Sequence, residues 1–250
     1  MTISLRGETV VVTGAAVRVG KSIALACARV GADVGISYNS SEAEARATVE
    51  ELRACGVRAE MFRLDVSDAT QIENFTAEVR SKLGEPTALI NSAAIFRRTP
   101  WEALSLDDFD SHIAANLRGP FWLCKTFGDI FLQNGRGHIV NIADIHGQKP
   151  LKNYGPYCIS KAGVISLTEW LAKTLAPAVR VNCICPGTIL LPSETQGGDF
   201  GDDEQTLAAR VPLGRIGSAE EIADTVVFLL GGPQFISGAV LPVDGAEHLR

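Results

Sequence analysis

The sequence predicts a single α/β domain built on a doubly wound, seven-stranded parallel sheet with helices on both faces. Three observations lead there. Short β-branched runs alternate with longer helical patterns along all 250 residues, and strict β–α alternation implies parallel strands joined by right-handed crossovers. The first short run, 8–13, is rich in β-branched residues, the mark of a buried parallel strand. The residues with unusual chemistry stand near the ends of the first, fourth, fifth and sixth runs, at Gly14, Asn91, Asp144 and Pro186. A sheet of this kind gathers its ligand at those strand ends, near the switch point.

Each element has its own signal. Strand one covers 8–13 (E-T-V-V-V-T), and a glycine-punctuated turn over 14–20 leads into a helix over 21–30. Strand two is 34–38, and a helix rich in Ala and Glu follows over 42–54. Strand three spans 57–65 and ends in Leu64-Asp65-Val66. Ser67 or Asp68 can cap the next helix, which runs to about residue 82. Strand four is 87–91; helical patterns over 106–116 and 120–133 precede strand five at 138–142. Gly155-Pro156 opens a helix that reaches about residue 175, because proline is tolerated in a first turn where its missing N–H has no partner. Strand six is 180–184. Residues 186–203 hold Pro, Gly and acidic residues with little periodicity, which suggests a mobile loop over a site; the substrate loop is placed at about 187–216. An amphipathic helix over 219–230 and a seventh strand at 239–243 complete the chain. Without repeats, linkers or low-complexity tracts, residues 1–250 read as one domain.

Composition narrows the function. A net charge of −6 with scattered Lys and Arg argues against nucleic acid or an anionic membrane as partner. No apolar run approaches the ~18 residues of a membrane span, and the first residues lack a signal-peptide core. A cytoplasmic protein is expected. The six cysteines, at 27, 55, 124, 158, 183 and 185, form no CxxC pair and read as mostly buried free thiols. The four histidines show no metal-type spacing, and no metal is expected.

Tyr157 and Lys161, four residues apart, fall on one face of the helix that Gly155-Pro156 opens. A nearby ammonium favours a phenolate and lowers the phenol's pKa from ~10, which suits a tyrosine to acid–base work. The same pair occurs on helices with no function, so its meaning depends on what converges on it. Thr13-Gly14 and Gly20 stand where the first strand turns into a helix, whose N-terminus offers N–H groups to a pyrophosphate. Arg18 is either a solvated side chain or a cation for the 2′-phosphate of NADP. An NAD site usually carries an acidic residue at the end of strand two. Here Tyr38-Asn39-Ser40-Ser41 precedes the first carboxylate, Glu42, which favours NADPH.

Taken together, these motifs resemble the short-chain dehydrogenase/reductase family along essentially the whole chain, with its Rossmann-type fold. The resemblance rests on T-G-x3-R-x-G at 13–20, Leu64-Asp65-Val66, Asn91-Ser-Ala-Ala, Asn116, Y-x3-K at Tyr157 and Lys161, and Pro186-Gly187. Pro212-Leu-Gly-Arg-Ile-Gly and Val243-Asp-Gly also match. It implies an NAD(P)-linked oxidoreductase of a small molecule, often a homotetramer, with Tyr157 as acid/base. Lys161 would bind the nicotinamide ribose, and Asn116 would hold a water of the proton relay. Around the cofactor it implies Gly14, Arg18, Val19, Gly20, Tyr38, Asn39, Ser40, Ser41, Asp65, Val66, Asn91, Ala93, Tyr157, Lys161, Pro186, Gly187 and Ile189. Around the substrate it implies Phe96, Asp144, Tyr157 and Leu191.

Three departures from the family pattern look like its pteridine reductase branch. Arg18 replaces the second motif glycine; Asp144, thirteen residues before Tyr157, replaces the catalytic serine; and N-S-A-A replaces N-N-A-G, with Phe96 close behind. The branch implies reduction of dihydropterin, dihydrofolate or an oxidised pterin, with Phe96 stacking on the flat ring. The branch's arginine after strand two is Ser40 here. The alternatives are a general carbonyl reductase of 3-oxoacyl or sugar type, and a non-catalytic NADP-binding regulator. Phe96 can equally be core. His146, Trp101, Arg97 and Arg98 either line the pocket or face solvent.

Overall fold

A computed structural model describes residues 3–189 and 203–250. Its strands are β1 (Thr9–Val12), β2 (Asp33–Tyr38), β3 (Ala59–Arg63), β4 (Ala88–Asn91), β5 (Gly137–Ile142), β6 (Val179–Pro186) and β7 (Val240–Val243). They form one sheet in the order β3-β2-β1-β4-β5-β6-β7, with every pairing parallel. The chain winds outward from β1 to β3, then crosses back to β4 and winds the other way. Val12 pairs with Ile36 on one side and Ile90 on the other, so the ends of β1, β2 and β4 lie level. That reversal opens the crevice in which the site sits.

The helices are α1 (Arg18–Arg29), α2 (Glu42–Ala54), α3 (Ala69–Leu83), α4 (Leu106–Ile113), α5 (Gly119–Gln133), α6 (Gly155–Thr174), α7 (Glu204–Ala208) and α8 (Ala219–Gly231). Alternate strand residues face opposite layers. Val10, Val12, Val34 and Ile36 pack on Ile23, Val49, Leu52, Ile222 and Val226 of α1, α2 and α8. Val11, Leu89, Ile139 and Val181 pack on Phe75, Phe127, Phe131, Leu167 and Leu171 of α3, α5 and α6. Phe75, Phe127 and Phe131 are fully buried, each contributing about 2–3 kcal/mol.

Local chemistry sets the boundaries. Asp68 caps α3 by accepting from the N–H groups of Thr70 and Gln71, and Pro156 lies in the first turn of α6. The two helices expected at 106–116 and 120–133 are instead continuous through a wide π-type turn, Ala114–Arg118. Pro120 follows in the first turn of α5; the wider turn carries the chain past a residue without an N–H. β3 is shorter than expected, leaving Leu64 and Asp65 outside the ladder to line the crevice. α7 falls inside the stretch expected to be loop. Residues 190–202, with Leu191 and most of the anticipated mobile segment, lie outside the described residues. Among the described residues no helix is long and apolar enough to cross a membrane. All six cysteines are free, and only Cys55 is exposed.

Candidate active site

The β1–α1 turn is closed by the chain itself. Thr13 Oγ1 accepts from the N–H groups of Ser92 and Ala93, both at 3.1 Å, tying the end of β1 to the end of β4. Gly14 has φ +64, and a Cβ there would lie 2.7 Å from Ala93 Cα. A Cβ on Gly20 would lie 2.4 Å from the Gly14 carbonyl oxygen. Both glycines are therefore required by backbone packing before any ligand is considered. Arg18 opens α1 with φ +56, a left-handed conformation that favours glycine.

Beyond this turn lies a crevice of about 530 Å³, lined by Gly14, Arg18, Val19, Gly20, Tyr38, Asn39, Asp65, Val66 and Ala93. Its residues fit a dinucleotide. The first turn of α1 has no side-chain cap and no acidic residue, so its N–H groups face an anion unopposed. Asp65 Oδ1 is held by the Ser67 N–H at 2.9 Å and the Ser67 hydroxyl at 2.6 Å. Arg97 also lines this crevice, whereas Trp101 is 82% exposed. Ser40 and Ser41 are absent from the lining, with Ser40 exposed beyond Asn39. Asn91 is buried, its Nδ2 donating to Asn141 Oδ1 at 2.8 Å, and it braces the sheet instead of touching the crevice.

A second cavity of about 250 Å³ adjoins the first, sharing Arg18, Val19, Phe96 and Tyr157 with it. It is lined by Asp144 and His146 after β5, Tyr157 and Lys161 of α6, and Pro186, Gly187, Thr188 and Ile189 after β6. The Tyr157 hydroxyl donates to Asp144 Oδ2 at 2.7 Å, while Asp144 Oδ1 accepts the His146 N–H at 2.8 Å. Lys161 Nζ donates to the Ile142 carbonyl at 2.8 Å and lies 5.7 Å from the Tyr157 ring centroid. Asn116 is buried in the π-type turn: its Oδ1 accepts the Ile95 N–H at 2.8 Å, and its Nδ2 donates to the Ile95 carbonyl at 2.9 Å. It thereby fixes the segment after β4 that carries Phe96. Phe96 stacks on Tyr154 at 4.6 Å and meets Tyr157 edge-on at 4.6 Å.

The electrostatics differ from the sequence expectation. Lys161 was expected to lower the tyrosine pKa. Instead burial, then the Asp144 charge and its hydrogen bond, push the Tyr157 phenol well above its usual 10. Burial also pushes the Asp144 carboxyl up, against smaller lowering effects of His146, Tyr157 and Lys161. Burial lowers Lys161. The pair is thus poised to hold protons, and the site is built to give one.

Sequence reasoning missed Thr188 and Glu247. Thr188 donates its N–H to Glu247 Oε2 at 2.8 Å and its hydroxyl to Oε1 at 3.0 Å, which pins the cavity wall. The adjacent Pro-Gly was the available signal; nothing local marks Glu247. Among the described residues no His, Cys, Asp or Glu cluster could hold a metal ion.

A dinucleotide crevice at the switch point, meeting a Tyr–Lys–Asp cavity, defines a nicotinamide-linked oxidoreductase site. The chain belongs to the short-chain dehydrogenase/reductase family: residues 14–246 match the family model described as Enoyl-(Acyl carrier protein) reductase. It is 37% identical to D-threitol dehydrogenase of Mycolicibacterium smegmatis, over 98% of this chain and 95% of that one. It is 32% identical to L-rhamnose 1-dehydrogenase (NAD(P)(+)) of a Sphingomonas species, over 98% of each. A 3-oxoacyl-(acyl-carrier-protein) reductase of Staphylococcus aureus is 31% identical over 97% of this chain and 98% of its own. Among solved structures, a dehydrogenase/reductase from Sinorhizobium meliloti superposes with a TM-score of 0.89 at 33% identity, over 98% and 97% of the two chains. The curated relatives named here are sugar, polyol and oxoacyl enzymes, and none is a pteridine reductase.

Proposed function

We propose that this protein is an NADP(H)-linked reductase that converts a small carbonyl compound to its alcohol. The observation that carries the reading is the Tyr157–Asp144 hydrogen bond in the cavity that adjoins the dinucleotide crevice. The sugar and polyol relatives support a carbonyl or alcohol substrate. Gly14, Arg18, Val19, Gly20, Tyr38, Asn39, Asp65, Val66 and Ala93 would hold the dinucleotide in the crevice, and Lys161, Pro186, Gly187 and Ile189 would hold its nicotinamide end. Bound NADPH supplies a hydride to the carbonyl carbon.

The chain's own residues supply the proton. Burial and Asp144 keep the Tyr157 hydroxyl protonated at neutral pH. In its acidic form Asp144 donates to Tyr157 Oη, which frees the phenolic proton to point at the substrate oxygen. Tyr157 then gives that proton as the oxygen becomes an alcohol, and takes the Asp144 proton in its place. Asp144 is reprotonated from the open cavity. Run backward, the same relay starts from neutral Tyr157 and ionised Asp144, so oxidation needs the carboxylate and reduction the acid. Reduction therefore gains on oxidation as pH falls and Asp144 takes up its proton.

A second reading, pterin reduction, is favoured by one feature: an aspartate where the family has serine, with Phe96 beside it. A proton reservoir suits delivery to a ring nitrogen. Intact Tyr157 and Lys161 stand against a non-catalytic regulator. The same proposal extends to one domain over 1–250, a substrate loop at 187–216, a cytoplasmic location and a homotetramer.

The test is NADPH oxidation at pH 6 and pH 8 with a ketose, a polyol-derived ketone, a 3-oxoacyl thioester, dihydrofolate and dihydrobiopterin. Turnover of the carbonyls alone supports the main reading. Turnover confined to the pterins replaces it with the second. NADPH binding without turnover of any compound sinks both.

A further inference from the structure

We infer that His146 reads the substrate: its Nε2 accepts a hydrogen bond from a hydroxyl on the carbon next to the one reduced, so the preferred substrates are α-hydroxy carbonyls. The inference rests on the carbonyl reading above.

The tautomer is set by geometry. His146 Nδ1 lies 3.0 Å from the Lys149 carbonyl oxygen. A carbonyl only accepts, so Nδ1 carries the proton, and the neutral ring presents Nε2 as an acceptor. The partner is itself fixed. Lys149 N–H donates to the Ile145 carbonyl at 3.0 Å, and Lys149 Nζ donates to the Arg250 carbonyl at 2.6 Å. The His146 backbone is held by Asp144 Oδ1 at 2.8 Å, so ring and carboxyl keep a constant relation.

Ser92 and Arg18 line the dinucleotide crevice as well, and three other polar groups of the cavity already have partners within the protein. Lys161 Nζ is bonded to Ile142, the Tyr157 hydroxyl to Asp144, and Thr188 to Glu247 by both its N–H and its hydroxyl. Phe96, Ile142, Leu151, Ile189 and Leu207 form apolar wall. His146 is half-buried on the same wall, two residues from Asp144, and among the described residues none bonds to its Nε2. A largely apolar cavity of about 250 Å³ with an oriented acceptor two residues from Asp144 selects a small molecule with a hydroxyl adjacent to its carbonyl. A site built to bond a substrate hydroxyl rejects the analogue that lacks it, because the acceptor is then left unpaired.

The experiment compares acetoin with butanone, which differ by that hydroxyl, using NADPH and initial rates for wild type, His146→Phe and His146→Gln. The wild type is expected to prefer acetoin by about tenfold in kcat/KM, the worth of one ordinary hydrogen bond. In His146→Phe the acetoin-to-butanone ratio falls to near one; in His146→Gln, whose amide oxygen also accepts, much of it returns. NADPH affinity and circular dichroism, measured for every variant, report folding. A wild-type ratio near one, or a ratio unchanged in a folded His146→Phe, overturns the role of His146 while leaving the carbonyl reading intact. No reduction of either ketone by NADPH-bound wild type overturns the carbonyl reading and this inference with it.

Discussion

Replacing Arg18 with glycine separates two effects that the structure places on one residue. The first is strain. Arg18 has φ +56, and the left-handed region costs a non-glycine residue ~1–2 kcal/mol. Glycine relieves that cost but adds unfolded-state freedom worth ~0.5–1 kcal/mol. Arg18→Gly should therefore leave the fold intact and change stability by no more than about 1 kcal/mol, or a few degrees in Tm for a chain of this size. The second effect is recognition. Arg18 is half-buried, lines the dinucleotide crevice and is followed by no carboxylate at the end of β2. A charge-assisted hydrogen bond to a phosphate is worth about 1.5–3 kcal/mol. Partial exposure puts the lower end of that range in play, so NADPH should bind about tenfold more weakly in the variant. NADH has no 2′-phosphate and should be little changed. Fluorescence titration of both cofactors at one fixed salt concentration, alongside thermal melts, measures the two effects independently. A variant that melts like the wild type yet keeps the NADPH-to-NADH affinity ratio refutes the assignment of Arg18.

Three further outcomes follow from the same geometry. Tyr157→Phe keeps the ring packed against Phe96 but removes the proton donor, so turnover should fall ~10²–10⁴-fold with NADPH binding retained; near-wild-type turnover would show that another group supplies the proton. Because burial raises the Asp144 carboxyl, reduction should speed up as pH falls through the acidic range, and Asp144→Ser should flatten that limb and abolish most of any pterin reduction. An unaltered pH–rate profile in the folded Ser variant contradicts the proton-reservoir role. His138 tests the fold: burial first, then the Arg180 charge, lowers its pKa from the ordinary 6.5 to about 4. The unfolded chain binds that proton more readily between those values, so stability is lost as pH falls through them, by about 2 kcal/mol from pH 7 to 5. Urea titrations should show His138→Gln losing correspondingly less, and equal losses would exclude His138 as the source.

Much of the fold was legible because its signals are local and repeated. Seven apolar runs separated by helical patterns determine an alternating parallel sheet, and Asp68 and Pro156 mark helix starts by mechanisms that need no tertiary context. The site was legible where strand ends carried it: Gly14, Asp144 and Pro186 were placed by the topology alone. What sequence reasoning could not reach depends on packing at a distance. Asn91 has a free choice of partners in the sequence, but in the fold Asn141 stands 2.8 Å away and takes it. Glu247 is remote in sequence from Thr188, and only the pairing of β6 with β7 brings the C-terminal turn to the cavity wall. The sign of the Tyr157 shift was missed for the same reason. A lysine one helical turn away is visible in the sequence; that burial, with Asp144 behind it, outweighs the ammonium is not.

Asp144 is where family membership and local chemistry pull in different directions. The relatives named above are sugar, polyol and oxoacyl enzymes, and a serine at this place would suit a carbonyl substrate by donating one hydrogen bond to its oxygen. An aspartate changes the proton inventory. It can store a proton, pass it to Tyr157 and be refilled, but while ionised it captures the phenolic hydroxyl in the 2.7 Å bond seen here. The substitution therefore exchanges a constant donor for a switchable one. It costs reductive activity at high pH and favours reduction over oxidation where Asp144 holds its proton, since the relay run backward starts from the carboxylate. A polyol dehydrogenase working in the oxidative direction would need the ionised carboxylate. A reductase whose substrate must be protonated as it is reduced gains from the acid, whether the acceptor atom is oxygen or nitrogen. The pH dependence of each direction is thus the property that the proposed relay ties to Asp144, and substrate choice is left, in the same proposal, to the walls around it, to His146 and Phe96.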